Sequence, residues 1–501
     1  MVVNSQSPPD SFSTPTTARM AARGALWATA DNWAQQGFGL VTFIIVGNIV
    51  GPQVYGLMAL GLLYILLGGS FIRDTFGEAI IQRADLEAEH LDTAFWAQMA
   101  IALMMLAASV AFAVPFAQFL GDEAAAPVIA ALGFTFPMMA VSNLLRSIAR
   151  RRMNFRALAI RSFAAYGTGF VLAVVLALSG AGLWSLLGYQ LCVHLVDALA
   201  LLVQVRWWPR LRFSKRHFDD LSSFSTKMIG NNFVANLAGQ VDRFLVAKYI
   251  DVASLGLYGM GKRIVDGIDQ TVLGVIGSVG LPAFARVQND KNALNQALLQ
   301  ATHFSSLIVA PVYIGLALVG QQLVNTVLSP EWHKCGAVVS LFCLSGLTFP
   351  AALFLSTVQR AIGAAGTLMA LATTSTVIRI ILCLAAIIAG YGMIGVLIAS
   401  LISSFIMLPI RITIVHRATG FHIPSFLGAM STAFGATAFM AVCVGACEHV
   451  LVPHLPSILV LITMILVGMA SYVGALALFA RPSLDTIAKS LLPRRFLRRE
   501  A

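Results

Sequence analysis

Apolar runs follow one another almost without interruption from residue 25 to residue 480. Fourteen can be marked, each about 20 residues long, the length that a helix needs to cross the hydrocarbon of a bilayer. In lipid, only a helix or a closed barrel satisfies its own backbone hydrogen bonds. With 58% hydrophobic and 11% charged residues, the composition excludes a soluble globular protein. The sequence therefore predicts an all-α, polytopic membrane protein.

The second half of the chain repeats features of the first half about 200 residues later. Residues 31–61 align without a gap with residues 231–261, and the motif GFTFP at 133–137 returns as GLTFP at 346–350. Six helices in each copy bring both copies into the membrane from the same side. We therefore predict two six-helix bundles, related by a pseudo-two-fold axis along the membrane normal, and two additional C-terminal helices.

Each copy of the five-residue motif ends in a proline within a predicted helix, Pro137 in the first copy and Pro350 in the second. Proline lacks the backbone N–H and its ring clashes with the preceding turn, so it permits a kink. We predict that these two residues are matched hinges; a purely structural kink is the alternative.

The chain divides into six predicted segments. These are a disordered cytoplasmic tail (1–24), an N-terminal six-helix bundle (25–204), a basic cytoplasmic linker (205–222), a C-terminal six-helix bundle (223–416), two additional transmembrane helices (417–480) and a basic cytoplasmic tail (481–501).

Basic residues are concentrated in loops that alternation of the helices places on one side of the membrane. The clusters lie at 146–156, 206–216 and 481–499, and most of the 33 Lys and Arg fall on this side. The positive-inside rule makes that side cytoplasmic, so we expect a multi-pass protein of the bacterial inner membrane with both termini in the cytoplasm. The net charge of +11 reflects this bias, and the basic loops are expected to contact anionic lipid head groups instead of nucleic acid.

Ionisable residues inside the predicted spans are expensive in hydrocarbon, so they are expected to face a water-filled cavity or to pair with one another. They include Asp31, Arg73, Asp74, Glu78, Asp242, Arg243, Lys262, Arg263, Asp266, Asp269 and Arg379. Asp197 is a further single charge, for which packing and cavity roles are both open. Arg161 is expected to extend along its helix toward the cytoplasmic face.

The seventh and eighth helices are predicted to form a hairpin that turns near Val252. Asp242 and Arg243 precede the turn by about as many residues as Lys262 and Arg263 follow it, so the four should share a depth. Cations with partial carboxylate compensation suit an anionic substrate such as a diphosphate attached to sugars. A carboxylate in this setting can carry a coupling proton. The alternative is an ion-pair network that only holds the bundle together.

From these positions we assign residues to roles. Substrate binding is assigned to Arg73, Arg243, Lys262, Arg263 and Arg379. Ion coupling is assigned to Asp31, Asp74, Glu78, Asp242, Asp266 and Asp269. No catalytic residue, metal ligand or cofactor is assigned, and the six cysteines have no metal-type spacing. A proton or sodium gradient is the expected driving force.

Several short stretches carry a family resemblance. They are residues 51–61, the GEAIIQR segment at 77–83, LGLY at 255–258, LPAFAR at 281–286 and the glycine turns at Gly182 and Gly392. In these stretches the chain resembles the multidrug/oligosaccharidyl-lipid/polysaccharide exporter superfamily and, within it, the polysaccharide transporter (Wzx-like) flippases.

The resemblance implies two six-helix bundles that form a V-shaped central cavity. It also implies flipping of undecaprenyl-diphosphate-linked oligosaccharides from the cytoplasmic to the periplasmic leaflet, for exopolysaccharide or lipopolysaccharide biosynthesis, by ion-coupled alternating access. The expected partners are the lipid-linked glycan, membrane lipids, a polysaccharide polymerase and a chain-length regulator. We expect a monomer, because the cavity is built within one chain.

Two other functions remain open at this point. A cation-coupled multidrug exporter of the same superfamily would share the fold, but cationic drugs favour an acidic cavity and the spans here are rich in Arg and Lys. An integral-membrane glycosyltransferase or polymerase would need catalytic carboxylates on a sizeable external loop, and no such loop or constellation is present in the sequence.

Overall fold

The computed structural model describes residues 15–73, 76–83, 85–286, 290–451 and 455–479. Within these ranges the chain forms α-helices and two short 3-10 turns, and no strand. The predicted all-α class is therefore confirmed.

The helices begin and end as follows. The first nine are α1 (Pro15–Arg73), α2 (Gly77–Gln82), α3 (Ala88–Ala111), α4 (Ala113–Leu120), α5 (Ala126–Gly133), α6 (Thr135–Arg151), α7 (Phe155–Leu178), α8 (Leu183–Val205) and α9 (Lys215–Gly239). The others are α10 (Val241–Tyr249), α11 (Val252–Arg286), α12 (Lys291–Val327), α13 (Cys335–Gly346), α14 (Phe349–Ala361), α15 (Ala365–Ile388), α16 (Gly392–Thr419), α17 (Ile423–Leu451) and α18 (Ser457–Phe479).

Ten helices in the described ranges are long and apolar enough to cross a membrane, or eleven if the bent pair α13 and α14 counts as one span. The protein is therefore a multi-pass membrane protein. The prediction of fourteen spans in two six-helix bundles stays a prediction.

Helix α1 contains two of the predicted spans. Its apolar part, Leu26–Arg73, has 48 residues. As a straight helix it would be about 72 Å long, more than twice the thickness of the hydrocarbon. The helix is broken at Gly51, where φ is 76° and ψ is 172°. At its other end α1 begins at Pro15, so residues 15–24, expected to be disordered, are helical; Ala, Met and Arg in this segment favour a helix.

Backbone contacts divide the chain into two compact units. The first contains the residues up to Val50 together with Leu57–Leu237, and the second contains Gly51–Gly56 and the residues from Ala238 onward. The first unit buries an apolar cluster around Phe95, Leu144 and Leu201. The second buries one where α12, α17 and α18 pack together. The predicted linker at 205–222 stays a prediction.

The predicted repeat is visible in the turns that join paired helices. In the first unit, Gly180 and Gly182 connect α7 to α8 with φ values of 80° and 54°. In the second unit, Gly390 and Gly392 connect α15 to α16 with φ values of 79° and 58°. These left-handed conformations are strained for any residue with a Cβ, so both copies need glycine at the same places.

The repeated proline motif coincides with a break between helices. A single residue, Phe134, separates α5 from α6, and α13 is bent by 41° relative to α14. Pro137 and Pro350 lie in the first turn of the second helix of each pair, where a missing N–H costs nothing. The break therefore precedes each proline, and a hinge motion at these residues stays a prediction.

Two glycines at equivalent positions of the repeat allow a close backbone contact within the second unit. A Cβ on Gly56 would lie 1.9 Å from the carbonyl oxygen of Val252, and a Cβ on Gly256 would lie 2.1 Å from that of Pro52. Close approach of this kind is how small residues stabilise helix packing in membranes, where the hydrophobic effect contributes little between helices.

We expect Gly256→Ala to lower stability by about 1 to 3 kcal/mol, because the helix must move away from Pro52. Thermal unfolding of the purified protein in detergent measures this change. Gly428→Ala is the control, since nothing lies within 4 Å of a Cβ built at that position. Equal melting temperatures for the two variants would contradict the importance of this contact.

Candidate functional site

Four of the predicted site residues form one group in the second unit, which we call the hairpin cluster: Arg243, Lys262, Asp266 and Asp269. Lys262 Nζ lies 2.6 Å from Asp266 Oδ1 and 3.9 Å from Asp269 Oδ2, and Arg243 Nη2 lies 3.9 Å from Asp266 Oδ2. The turn between α10 and α11 comes just before Val252, which brings the two sides of the hairpin together. All four side chains are partly exposed.

Asp269 has one further partner in this unit. The hydroxyl of Tyr313, on α12, donates a hydrogen bond to its carboxylate. Lys262 and Tyr313 therefore contact the same carboxylate, one by charge and the other by a hydrogen bond. A change in the charge of Asp269 would alter its hydrogen bond with Tyr313 and so its contact with α12.

A second group surrounds Asp242, which is 7% exposed. Arg379 Nη1 lies 3.6 Å from its carboxylate, Ser400 Oγ donates to it at 3.0 Å, and Tyr258 donates to it at 3.3 Å. The structure thus pairs one predicted coupling residue with one predicted substrate-binding residue, on α10 and α15.

Arg379 also lines a cavity of about 490 Å³ within the second unit, which we call the arginine cavity. Arg360 and Arg411 line it as well. Its hydroxyl groups come from Ser345, Thr348, Ser356, Ser375 and Ser404. No carboxylate is among its lining residues, and Arg411 makes no ion pair with any residue that the structure describes. The cavity is therefore a positively charged site rich in hydrogen-bond donors.

The three arginines lie at increasing depth along their helices. Arg360 is next to the end of α14. Arg411 precedes the end of α16 by eight residues, about 12 Å, and Arg379 follows the start of α15 by fourteen residues, about 21 Å. These three helix ends lie on the same side, because α15 and α16 form a hairpin and a short loop joins α14 to α15. The cations thus extend from one membrane face toward the middle.

Arg360 and Arg411 were missing from the predicted site. Arg411 lies inside an apolar run, which is the same signal that identified Arg379. Arg360 is a basic residue at a helix end, a position that does not by itself indicate a site. Their convergence depends on how α14, α15 and α16 pack, which no local spacing indicates.

The first unit contains a separate buried network. Arg161, 2% exposed, pairs with Asp197 and lies 3.4 Å from Asp31, and Arg146 Nη2 lies 3.1 Å from Asp197 Oδ2. Ser162 also donates to Asp31. The expectation that Arg161 extends toward the cytoplasmic face is wrong, because two carboxylates inside the unit offer it stronger partners than the interface does. Arg146, expected in a loop, lies within α6.

The remaining predicted residues are described only in part. Arg73 is the last residue of α1, and its guanidinium donates to the carbonyl of Leu66 at 3.3 Å. Asp74 and the side chain of Glu78 lie outside the described part of the chain. Arg263 follows Lys262 on α11 and is partly exposed.

Sequence comparison assigns the chain to a family. A model described as polysaccharide biosynthesis protein matches residues 45–337, more than half of the chain. The chain belongs to this family. The succinoglycan biosynthesis transport protein ExoT of Rhizobium meliloti is 30% identical over 348 residues, covering 68% of this chain and 70% of ExoT. The lipopolysaccharide biosynthesis protein WzxC of Escherichia coli is 22% identical over 330 residues, covering 65% and 66%. The family members thus confirm the Wzx-like resemblance and the prediction that the chain is not an enzyme.

Solved structures support the same fold. The lipid II flippase MurJ, in an inward closed conformation, aligns with a TM-score of 0.70 and 15% identity, covering 91% of this chain and 99% of MurJ. An inward-facing multidrug resistance MATE family transporter of the MOP superfamily aligns with a TM-score of 0.56 and 15% identity, covering 79% and 94%. At this identity the likeness shows the fold alone.

Removing the central cation of the buried network should destabilise the protein. We expect Arg161→Ala to lower the free energy of unfolding by about 3 to 5 kcal/mol, because Asp197 and Asp31 lose their shared partner. Arg212→Ala is the control: its pair with Glu89 is long, at 3.8 Å, and exposed, so about 0 to 1 kcal/mol is expected. Thermal unfolding in detergent compares the two, and equal effects would show that the network contributes no more than a surface pair.

Proposed function

We propose that this member of the polysaccharide biosynthesis family is a flippase for undecaprenyl-diphosphate-linked oligosaccharide repeat units. It moves them from the cytoplasmic to the periplasmic leaflet of the bacterial inner membrane, for exopolysaccharide or lipopolysaccharide synthesis. The names of ExoT, a transport protein, and of WzxC, a lipopolysaccharide biosynthesis protein, support this class of substrate. The observation that carries the proposal is the arginine cavity.

The physical argument starts from the head group. A diphosphate attached to sugars must give up its hydration to enter about 30 Å of hydrocarbon, which is slow without help. Arginine replaces that hydration well, because its planar fork donates two parallel hydrogen bonds to phosphate oxygens. Hydroxyl groups beside the arginines offer donors and acceptors to the sugars, while the polyprenyl chain stays in lipid.

The assignments to individual residues follow from this argument. Arg360, Arg411 and Arg379 would receive the anionic head group in turn, from one membrane face toward the middle. Arg73, Arg243, Lys262 and Arg263 are proposed as further substrate contacts. Alternating access would then release the head group on the opposite side.

Loss of one cavity arginine should weaken export strongly. We expect Arg411→Ala to lower polymer export about 10- to 100-fold, because a charge-assisted hydrogen bond contributes about 1.5 to 3 kcal/mol. Export is measured as cell-surface polymer in a strain that lacks the chromosomal gene, together with accumulation of the lipid-linked repeat unit. Membrane levels of each variant are measured in parallel.

Arg417→Ala is the matched control, because Arg417 is on the same helix, α16, but is exposed and outside the cavity. Full export by Arg411→Ala, at normal membrane levels, would remove the cavity from the proposed path. A loss of export by both variants would indicate a general requirement for positive charge on α16.

Ion coupling is proposed for Asp74, Glu78, Asp266 or Asp269, with Asp31 and Asp242 as further candidates, and with a proton or sodium gradient as the driving force. Asp269 is the strongest of them, because its carboxylate is more exposed than that of Asp242 and its partners Lys262 and Tyr313 come from two helices. A carboxylate that gains and loses a proton there would alter both contacts in one step.

Asp269→Asn should therefore uncouple transport. We expect downhill flipping to continue in proteoliposomes, while stimulation by a pH gradient is lost because the amide cannot release a proton. The control is Asp251→Asn, an exposed residue just before α11 whose carboxylate bonds, among the described residues, only to nearby Ser254. Stimulation of Asp269→Asn at the wild-type level would exclude this residue as the proton carrier, and a sodium gradient is tested in the same vesicles.

A multidrug exporter of the same superfamily is the second candidate, because a MATE transporter shares the fold. The cavity argues against it, since its lining has three arginines and no carboxylate, an arrangement that repels a cationic drug. A drug-susceptibility test in a strain that lacks its own exporters separates the two. We also propose that the protein acts as a monomer beside a polysaccharide polymerase and a chain-length regulator.

A further inference from the structure

A group of potential metal ligands lies in the first unit, whereas the arginine cavity and the hairpin cluster are in the second. It consists of Glu87, His90 and His217, each of which offers one ligand atom within 4.8 Å of the others. Glu87 caps the start of α3, His90 is in its first turn, and His217 is the third residue of α9. The group therefore joins the starts of two helices that are more than a hundred residues apart.

Two of its atoms already have the separation of ligands on one metal ion. His217 Nε2 lies 3.3 Å from Glu87 Oε2. Two ligands on a tetrahedral zinc ion, with bonds of about 2.0 to 2.1 Å, are about 3.4 Å apart. The rings of His90 and His217 are in contact, with 4.1 Å between their centroids, so only a small movement of His90 would complete the set.

His90 provides an independent indication of a ligand. The residue is 2% exposed, and its Nε2 is buried without a hydrogen-bond partner among the described atoms. Its Nδ1 accepts the backbone N–H of Glu87 at 3.2 Å. A metal on Nε2 would move the ring proton to Nδ1 and displace that one hydrogen bond, a small loss beside metal–ligand bonds.

The surroundings hold the site together and keep it accessible. Asp92 and Thr93, on α3, accept backbone N–H groups of Arg210 and Ser214 at 3.0 and 3.2 Å, which ties the segment before α9 to α3. Glu87 is exposed, which gives an ion a route from solvent.

A second carboxylate can orient His217. Glu89 Oε2 lies 3.8 Å from Nδ1 of this histidine, on the opposite side of the ring from Glu87. A metal-bound histidine commonly donates its other N–H to a carboxylate, which fixes the ring and strengthens the metal bond.

We propose that Glu87, His90 and His217 form a zinc site that fastens the start of α9 to α3, with Glu89 as a positioning residue. Two imidazoles and one carboxylate, with a fourth position open to water, are a ligand set that zinc binds well, whereas calcium and magnesium prefer oxygen ligands alone.

The test is equilibrium dialysis of the purified full-length protein against Zn²⁺ in detergent, with bound metal measured by mass spectrometry. We expect one zinc ion per chain, and binding at least tenfold weaker in His217→Ala and Glu87→Gln. Glu89→Gln should weaken binding less. His422→Ala is the control, because this exposed histidine contacts only Ser425 in the described part of the chain. Substitution of Co²⁺ should give the visible absorption of a tetrahedral ion.

The melting temperature of each metal-free variant shows whether it folds. If His217→Ala does not fold, Glu87→Gln still tests the proposal, because Glu87 lies at the surface and its replacement should not disturb folding. Zinc should raise the melting temperature of the wild-type protein and of His422→Ala, but not that of Glu87→Gln. Absence of stoichiometric binding to the wild-type protein, or equal binding by Glu87→Gln, would overturn the proposal.

Discussion

A charge placed in hydrocarbon needs an opposite charge, a polar cavity or water, and this requirement explains the pairing of the buried charges in the protein. In the first unit, Arg161 is buried between the carboxylates of Asp31 and Asp197. In the second unit, the hairpin cluster balances cations against carboxylates within partly exposed surroundings. The arginine cavity differs from both, because Arg411 has no carboxylate partner in the part of the chain that is described. A positive charge without a carboxylate partner is available to bind an anionic ligand.

The sequence predicted those parts of the fold that depend on local pattern. Apolar length predicted a multi-pass helical protein, because backbone satisfaction in lipid is a property of each helix by itself, whereas the count of fourteen spans stays a prediction. The pair Lys262 and Asp266 is also local, since residues four apart share a helix face. The pairing of Asp31 with Arg161 is not, because 130 residues separate them and only the packing of α1 against α7 brings them together. For the same reason the cavity arginines could not be grouped in advance. The transport roles assigned to these side chains stay predictions.

The two copies of the repeat use the same scaffold for different purposes. Positions 42 and 43 of the first copy correspond to Asp242 and Arg243 of the second. In the first copy, Phe43 is buried with its ring against Tyr189, 5.6 Å between centroids, and Thr42 bonds its hydroxyl to the helix backbone. In the second copy, the same positions hold an ion pair each. Equivalent positions of the repeat thus hold a buried aromatic contact in the first copy and ion pairs in the second.

The six residues Gly51–Gly56 come early in the chain but pack with the second unit. If the chain were cut between residues 205 and 222, the N-terminal fragment would expose the helix segment that normally packs with the second unit. The C-terminal fragment would have a gap beside Val252, where that segment normally packs. Neither fragment should fold by itself, and two co-expressed fragments would have to associate through the contact between Gly51–Gly56 and the second unit. During synthesis, the contact between Gly51–Gly56 and α11 can form only after α11 has been made.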